Sequence, residues 1–342
     1  MRALIVVAMT TLVASAASAL EWHALPALPD REGFAGSYAG ESRGVLLVAG
    51  GANFPDKRPW EGGTKIWYDR VFALEVGASA WREVGKLPAA GGYGACVQLE
   101  EGFLLVGGGD AKRNFFSVWF ARWESGAVKF EAWPELPVPL AMAAGARVGR
   151  SVFVAGGLDR PDAMQARKIF LTLDLDHVQA GWRELAPWPG PERMLATAGA
   201  KDGEFFLFSG AKLVTGADGK SVREWLRDAY RYVPAKGWKR IADLPRVAVA
   251  APSPAVVVEG KLLVIGGDDG AQVNIAPTVH KGFPRDVLAY DPKADRWTHA
   301  GEVPFSLVTT SLAIWRNQIV VPGGEQRPGV RSSAVWAAAI KE

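Results

Sequence analysis

The sequence predicts an all-β protein, a six-bladed β-propeller whose N-terminal strand closes the last blade. Three observations carry this expectation. An aromatic residue followed seven positions later by proline occurs six times: Trp22/Pro29, Trp81/Pro88, Phe130/Pro137, Trp182/Pro189, Trp238/Pro245 and Trp297/Pro304. About twenty residues after each proline comes a short apolar run ending in small residues: VLLVAGG, FLLVGGG, SVFVAGG, FFLFSG, KLLVIGG and QIVVPGG. The two ends of the chain are also incomplete in complementary ways, as set out below.

Each unit reads as four strands. The apolar runs hold four or five residues rich in Val, Ile, Leu and Phe, too short for helices and suited to buried central strands. The segment before each run, such as YGACVQL or PAVVVEG, is strand-like and joined to it by a turn such as Glu101-Gly102 or Glu259-Gly260. After the glycines comes a variable loop, then a third run such as RVFALEV or DVLAYD, then the strand marked by tryptophan. Four-stranded units in this number are blades of a propeller. The pattern resembles the kelch repeat, in which a glycine pair ends the second strand and a tryptophan marks the fourth. Glycines suit that place because they permit positive φ and close backbone approach.

Ring closure follows from the ends. The chain opens with a tryptophan strand, Glu21 to Leu28, that lacks three partners before it. It finishes with three strands, Leu307 to Ile340, that lack a fourth. Pairing the two leaves no open edge at the seam.

The first nineteen residues, MRALIVVAMTTLVASAASA, carry Arg2, an apolar stretch and an Ala17-Ser18-Ala19 ending. This is the layout of a secretory signal peptide. The expected organisation is therefore a signal peptide over 1–19 and the propeller over 20–342, with a periplasmic or secreted mature protein that has no membrane span. The formal charge of +3 is small and basic residues are interspersed with acids, so no footprint for nucleic acid exists. Cys96 is the single cysteine, excluding an intramolecular disulfide, and its apolar surroundings make it a buried small side chain.

In a propeller the chemistry sits on loops at one mouth of the central channel. Six loops following the glycines converge there, rich in Arg, Lys, Asp and Glu, with the aromatics Phe54, Trp60, Trp67, Tyr68, Phe115 and Trp119 among them. Aromatic faces suit a sugar ring, and guanidinium groups suit a carboxylate. The last loop, GGEQRPGVR, resembles the Gly-Glu-x-basic-Pro-Gly-x-Arg segment of the N-acetylneuraminate epimerases, the sialic acid mutarotases, which are exported six-bladed kelch propellers. In that family the glutamate and the arginine six residues on are the proposed catalytic pair, here Glu325 and Arg331. The family's glycine-aromatic-basic loop is similar to GGANFPDKRPWEGGTKIWYD. The glutamate loop lies in a middle blade of better-known members and in the last blade here, as in a cyclically permuted branch of the family. A closed ring has no natural first blade, so such a rotation costs little.

The resemblance implies a cofactor-independent isomerase that interconverts the α and β anomers of N-acetylneuraminic acid. The reaction needs a base for the anomeric hydroxyl proton, and Glu325 is the expected base and then acid. Arg331 is expected to hold the carboxylate of the acidic sugar. Asn53, Arg58, Trp60, Tyr68 and His280 are expected substrate contacts. No metal ligand set is expected from the spacing of the acids. A copper radical oxidase would need paired histidines, tyrosines and a cysteine at the mouth, yet of His23, His177, His280 and His299 only His280 falls on a mouth loop. A non-catalytic propeller that binds acidic sugars or a protein partner is the alternative reading, since fold alone does not fix function.

Overall fold

The computed structural model describes residues 20–340. The expected signal peptide, residues 1–19, lies outside the described residues. Six four-stranded antiparallel sheets follow one another along the chain. Blade 1 runs from Tyr38–Ser42 through Val45–Ala49 and Arg70–Leu74 to Arg82–Lys86, and blades 2 to 5 repeat this meander. Blade 6 combines Ala313–Trp315, Gln318–Arg327 and Val330–Ala339 with the N-terminal strand Trp22–Leu25, which pairs antiparallel along Val335–Ala338. The closing strand expected from the sequence is thus present, shorter at both ends than the apolar pattern suggested. Among the described residues no helix is long and apolar enough to cross a membrane.

The repeated tryptophans act as inter-blade ties. Trp81, Trp182, Trp238 and Trp297 each donate Nε1–H to a backbone carbonyl of the preceding blade's outer edge: Pro26, Pro134, Ala186 and Ala242, at 2.7–2.9 Å. A large apolar ring with one polar handle suits a position that is buried on one side and must find one acceptor on the other. Phe130, the one non-tryptophan of the six, has no such donor, and Trp22 Nε1 in the closing strand is buried without a hydrogen-bond partner among the described residues. Between the blades lie the apolar cores, such as the one formed by Leu46, Val48, Phe72, Trp315 and Val320 across the seam of blades 1 and 6.

The glycine pairs have a backbone explanation. The first position of each pair has φ of 59–69° and the second 92–118°, both left-handed. In blade 4 Ser209 takes the first position at φ 55°, within reach of an L residue, while Gly210 keeps the second at 102°. This is why that run reads FFLFSG. Each turn brings the following residue into a bridge with the segment that opens the same blade: Ala35 with Ala52, Gly92 with Gly109, Ala141 with Leu158, Met194 with Ala211, Val249 with Asp268, and Val308 with Glu325.

Immediately after each of those opening residues the chain makes a second six-fold contact. The N–H of Gly36 donates to the carbonyl of Thr309, Thr309 to Ala250, Ala250 to Leu195, Leu195 to Met142, Met142 to Tyr93, and Tyr93 back to Gly36, all at 2.6–2.9 Å. All six residues have positive φ, between 54° and 71°. The result is a closed ring of backbone hydrogen bonds about the axis, which joins every blade to both neighbours. Its side chains form a constriction. On one side lies an axial cavity of about 70 Å³, bordered by buried Cys96, whose Sγ is 3.1 Å from Ser311 Oγ. Burial pushes the Cys96 thiol up to about 11.

Candidate functional site

On the other side of the ring is a cavity of about 300 Å³, the size range of a small-ligand site. Its floor is made by Tyr93, Met142, Leu195, Ala250 and Thr309 of the ring. In two blades the residue after the glycines is an acid, Asp268 in blade 5 and Glu325 in blade 6, and both stand at the cavity wall.

The spacing of Glu325 and Arg331 is a hairpin spacing. The strands Gln318–Arg327 and Val330–Ala339 pair so that Glu325 and Arg331 are directly opposite across the ladder, and opposite residues project from the same face. Arg331 Nη1 donates to Glu325 Oε1 at 2.5 Å, and the N–H of Gly329 donates to the same oxygen at 2.7 Å. Arg331 Nε reaches the carbonyl of Ala52 in blade 1 at 3.3 Å, and the guanidinium lies 5.2 Å from the centroid of the Phe54 ring. The Arg331 side chain is only 5 % exposed, against 20 % for Glu325. The arginine is therefore structural on one face and electrostatic on the other, and the carboxylate is the more open member.

Two further groups adjoin this pair. Lys65, at the start of the short hairpin strand Ile66–Trp67, places its Nζ 4.2 Å from the Tyr93 ring centroid and 4.8 Å from that of Trp67. Burial, together with the nearby Arg331, lowers its pKa to about 8, the Glu325 carboxylate opposing the shift. Burial pushes the Tyr93 hydroxyl up to about 12, with Arg331 beside it pulling the other way. Arg223 reaches the cavity from a hairpin inserted in blade 4, Ala211–Thr215 with Ser221–Trp225. Among the described residues neither Lys65 nor Arg223 has an ion-pair partner. The walls thus carry Lys65, Arg223 and Arg331 against Glu325 and Asp268, one positive charge in excess, which suits an anion.

The other expected contacts are placed elsewhere. Asn53 is fully buried, donating Nδ2–H to Asp30 Oδ1 and the Gly33 carbonyl and accepting from the Tyr68 hydroxyl at 2.8 Å. Asn53 and Tyr68 lock the blade 1 loop to the segment after the closing strand, and neither lines the cavity. Arg58 is held by Glu32 at 2.6 Å. Trp60 is 37 % exposed and packs outside the hairpin, where a Cβ on Gly329 would come within 3.0 Å of its ring. His280 is buried with Nδ1 accepting from the Gly282 N–H at 3.0 Å, and it borders a different cleft, with Ser306 and Arg327. Phe115 and Trp119 border a groove with Tyr38 and Leu87. Of the sequence-derived candidates, Glu325 and Arg331 meet at the cavity. Lys65, Tyr93, Arg223 and Asp268 join them there, and the repeat register offered a signal for Tyr93 and Asp268, which occupy the ring and post-glycine positions of their blades.

The comparisons with known proteins agree with this architecture. The family model for N-acetylneuraminate epimerase matches residues 5–129 and 133–274, and a kelch motif matches residues 250–304. The Glu325–Arg331 hairpin lies beyond the epimerase match. N-acetylneuraminate epimerase of Yersinia pestis (strain Pestoides F) is 32 % identical over 234 residues, 60 % of this chain and 57 % of that protein. The Haemophilus influenzae (strain 86-028NP) protein of the same name is 28 % identical over 229 residues, 59 % of this chain and 58 % of that one. The chain thus spans a little under three fifths of the curated relatives it matches. The solved structure of YjhT superposes with a TM-score of 0.65 over 91 % of this chain and 96 % of that one, at 14 % identity, a likeness of fold. With the epimerase model covering most of its length, the chain belongs to the N-acetylneuraminate epimerase family.

Proposed function

We propose that the protein is a mutarotase that interconverts the anomers of N-acetylneuraminic acid without a cofactor, with Glu325 as the proton carrier. The observation that carries this reading is the placement of the Glu325 carboxylate at the wall of a monosaccharide-sized cavity with a net excess of cations. Family membership and the names of the curated relatives support the same substrate class.

The chemistry is balanced in protons. Glu325 takes the proton of the anomeric hydroxyl, the bond from the anomeric carbon to the ring oxygen breaks as the ketone forms, and Glu325 hands the same proton to the ring oxygen. Rotation about the carbon–carbon bond next to the ketone presents its opposite face, and the steps reverse. Arg331 and the Gly329 N–H orient the carboxylate, so that its second oxygen is the one offered to the sugar. We read residues 1–19 as an export signal, which would place this reaction outside the cytoplasm.

Proton NMR of freshly dissolved N-acetylneuraminate tests the reading. A mutarotase speeds the approach of the two anomers to equilibrium. A sugar-binding propeller broadens the signals and leaves the rate unchanged, which would favour the non-catalytic reading.

A further inference from the structure

We propose that Lys65, and not Arg331, is the cation that receives the substrate's carboxylate. This rests on the mutarotase reading and assigns the recognition step within it.

The geometry begins with what Arg331 has left to give. Two of its three nitrogens are committed, Nη1 to Glu325 and Nε to the Ala52 carbonyl. Its plane lies over Phe54, and the side chain is nearly closed to solvent. Turning it toward a ligand would break the seam contact with blade 1 and release Glu325 from the position that catalysis requires. A guanidinium so bound is a positioning group for the base.

Lys65 is in the opposite condition. Its ammonium has no hydrogen bond or ion pair among the described residues and rests between the faces of Tyr93 and Trp67. It faces the same cavity as Glu325. The repulsion it feels from Arg331 is only partly offset by Glu325, so a second anion is the partner the site lacks. The substrate's own connectivity then selects the lysine. In a keto-sugar acid the carboxylate is bonded to the anomeric carbon, so a base at the anomeric hydroxyl requires a cation for the carboxylate in its immediate vicinity. Lys65 is beside the Glu325–Arg331 pair. Arg223 belongs to blade 4, across the axis from blade 1, and would meet the far end of the sugar.

The test compares N-acetylneuraminate with its C1 methyl ester, in which the charge is gone, following anomer equilibration by NMR. Wild-type protein should favour the acid, with a KM for the ester higher by roughly 10- to 100-fold. Lys65→Met should raise the KM for the acid by a similar factor, change kcat by less than about threefold, and abolish the discrimination against the ester. Lys65→Arg should restore most of it. Thermal melts establish that both variants fold, and the ester comparison in wild-type protein is independent of them. The assignment is overturned if wild-type protein treats acid and ester alike, or if Lys65→Met keeps the KM for the acid within about twofold. An absence of acceleration of either sugar by wild-type protein would instead bring down the mutarotase reading, and the assignment with it.

Discussion

Arg331 of the last blade reaches the backbone carbonyl of Ala52 in the first blade, Nε to O 3.3 Å, while its Nη1 holds Glu325 at 2.5 Å. One side chain therefore both seals the ring and fixes the candidate base. The two duties are separable by their readouts.

Arg331→Lys is the first test. A lysine can hold Glu325 or reach Ala52, but it lacks the fork to do both. The expected loss of stability is about 2–4 kcal/mol, since a nearly buried charge pair loses its geometry and a seam contact. Denaturant unfolding measures it. In the folded fraction the KM for the acidic sugar should change little while kcat falls, the pattern of a group that positions the base.

A second prediction concerns pH. Lys65 binds an anion only while protonated, and its pKa is lowered to about 8. The KM for N-acetylneuraminate should therefore rise as pH increases through about 8, while the KM for the methyl ester stays flat. The other groups facing the cavity are Tyr93, pushed up to about 12, the carboxyls of Glu325 and Asp268, and the guanidiniums of Arg223 and Arg331. A KM for the acid that is constant from pH 7 to pH 9 would contradict this prediction.

The same shift has a stability consequence of definite sign. A lysine whose folded pKa lies below its unfolded value is disfavoured in the folded state while charged, so stability rises with pH between about 8 and 10.5. Lys65→Met should raise the melting temperature near pH 7, with the advantage shrinking toward pH 10. A variant that is more stable and binds the acid worse is the expected trade at a binding site.

Gly324→Ala probes the turn that delivers Glu325. Gly324 has φ 118°, and an added Cβ would meet the Val308 carbonyl oxygen at 2.9 Å, the atom that accepts the Glu325 backbone N–H. The substitution should cost about 1–3 kcal/mol in chemical denaturation and lower activity in the surviving folded protein. An unchanged midpoint would mean that this turn is not a constraint on the site.

What the sequence disclosed follows from periodicity. Six aromatic–proline marks and six apolar runs fixed the blade number, and the unmatched strands at the two ends fixed the closure between Trp22–Leu25 and Val330–Ala339. The six-residue interval from Glu325 to Arg331 was recognisable from a motif, and its physical cause is cross-strand pairing. Loop interiors were not legible. Asn53, Tyr68 and Arg58 resemble mouth residues in composition, but Asp30 holds Asn53, Asn53 holds Tyr68 and Glu32 holds Arg58, which ties all three to the segment after the closing strand. Lys65 is on the same loop, half-buried at the cavity wall and, among the described residues, without such a partner. No local pattern distinguishes the satisfied cations from the unsatisfied one, because the difference is made by contacts between blades. The ring residues Gly36, Tyr93, Met142, Leu195, Ala250 and Thr309 occupy one position of the repeat. Alignment of the units would have placed Tyr93 on the axis.

The central claim is that Glu325 moves the proton. It is tested most directly by the rate of anomer equilibration of N-acetylneuraminate with Glu325→Gln, measured by proton NMR at a concentration where line broadening reports that the sugar still binds. The amide retains an oxygen for the Gly329 N–H and Arg331 but cannot accept the hydroxyl proton. The acceleration should fall by roughly 100- to 10,000-fold with binding preserved. Equilibration by this variant at the wild-type rate would contradict the account.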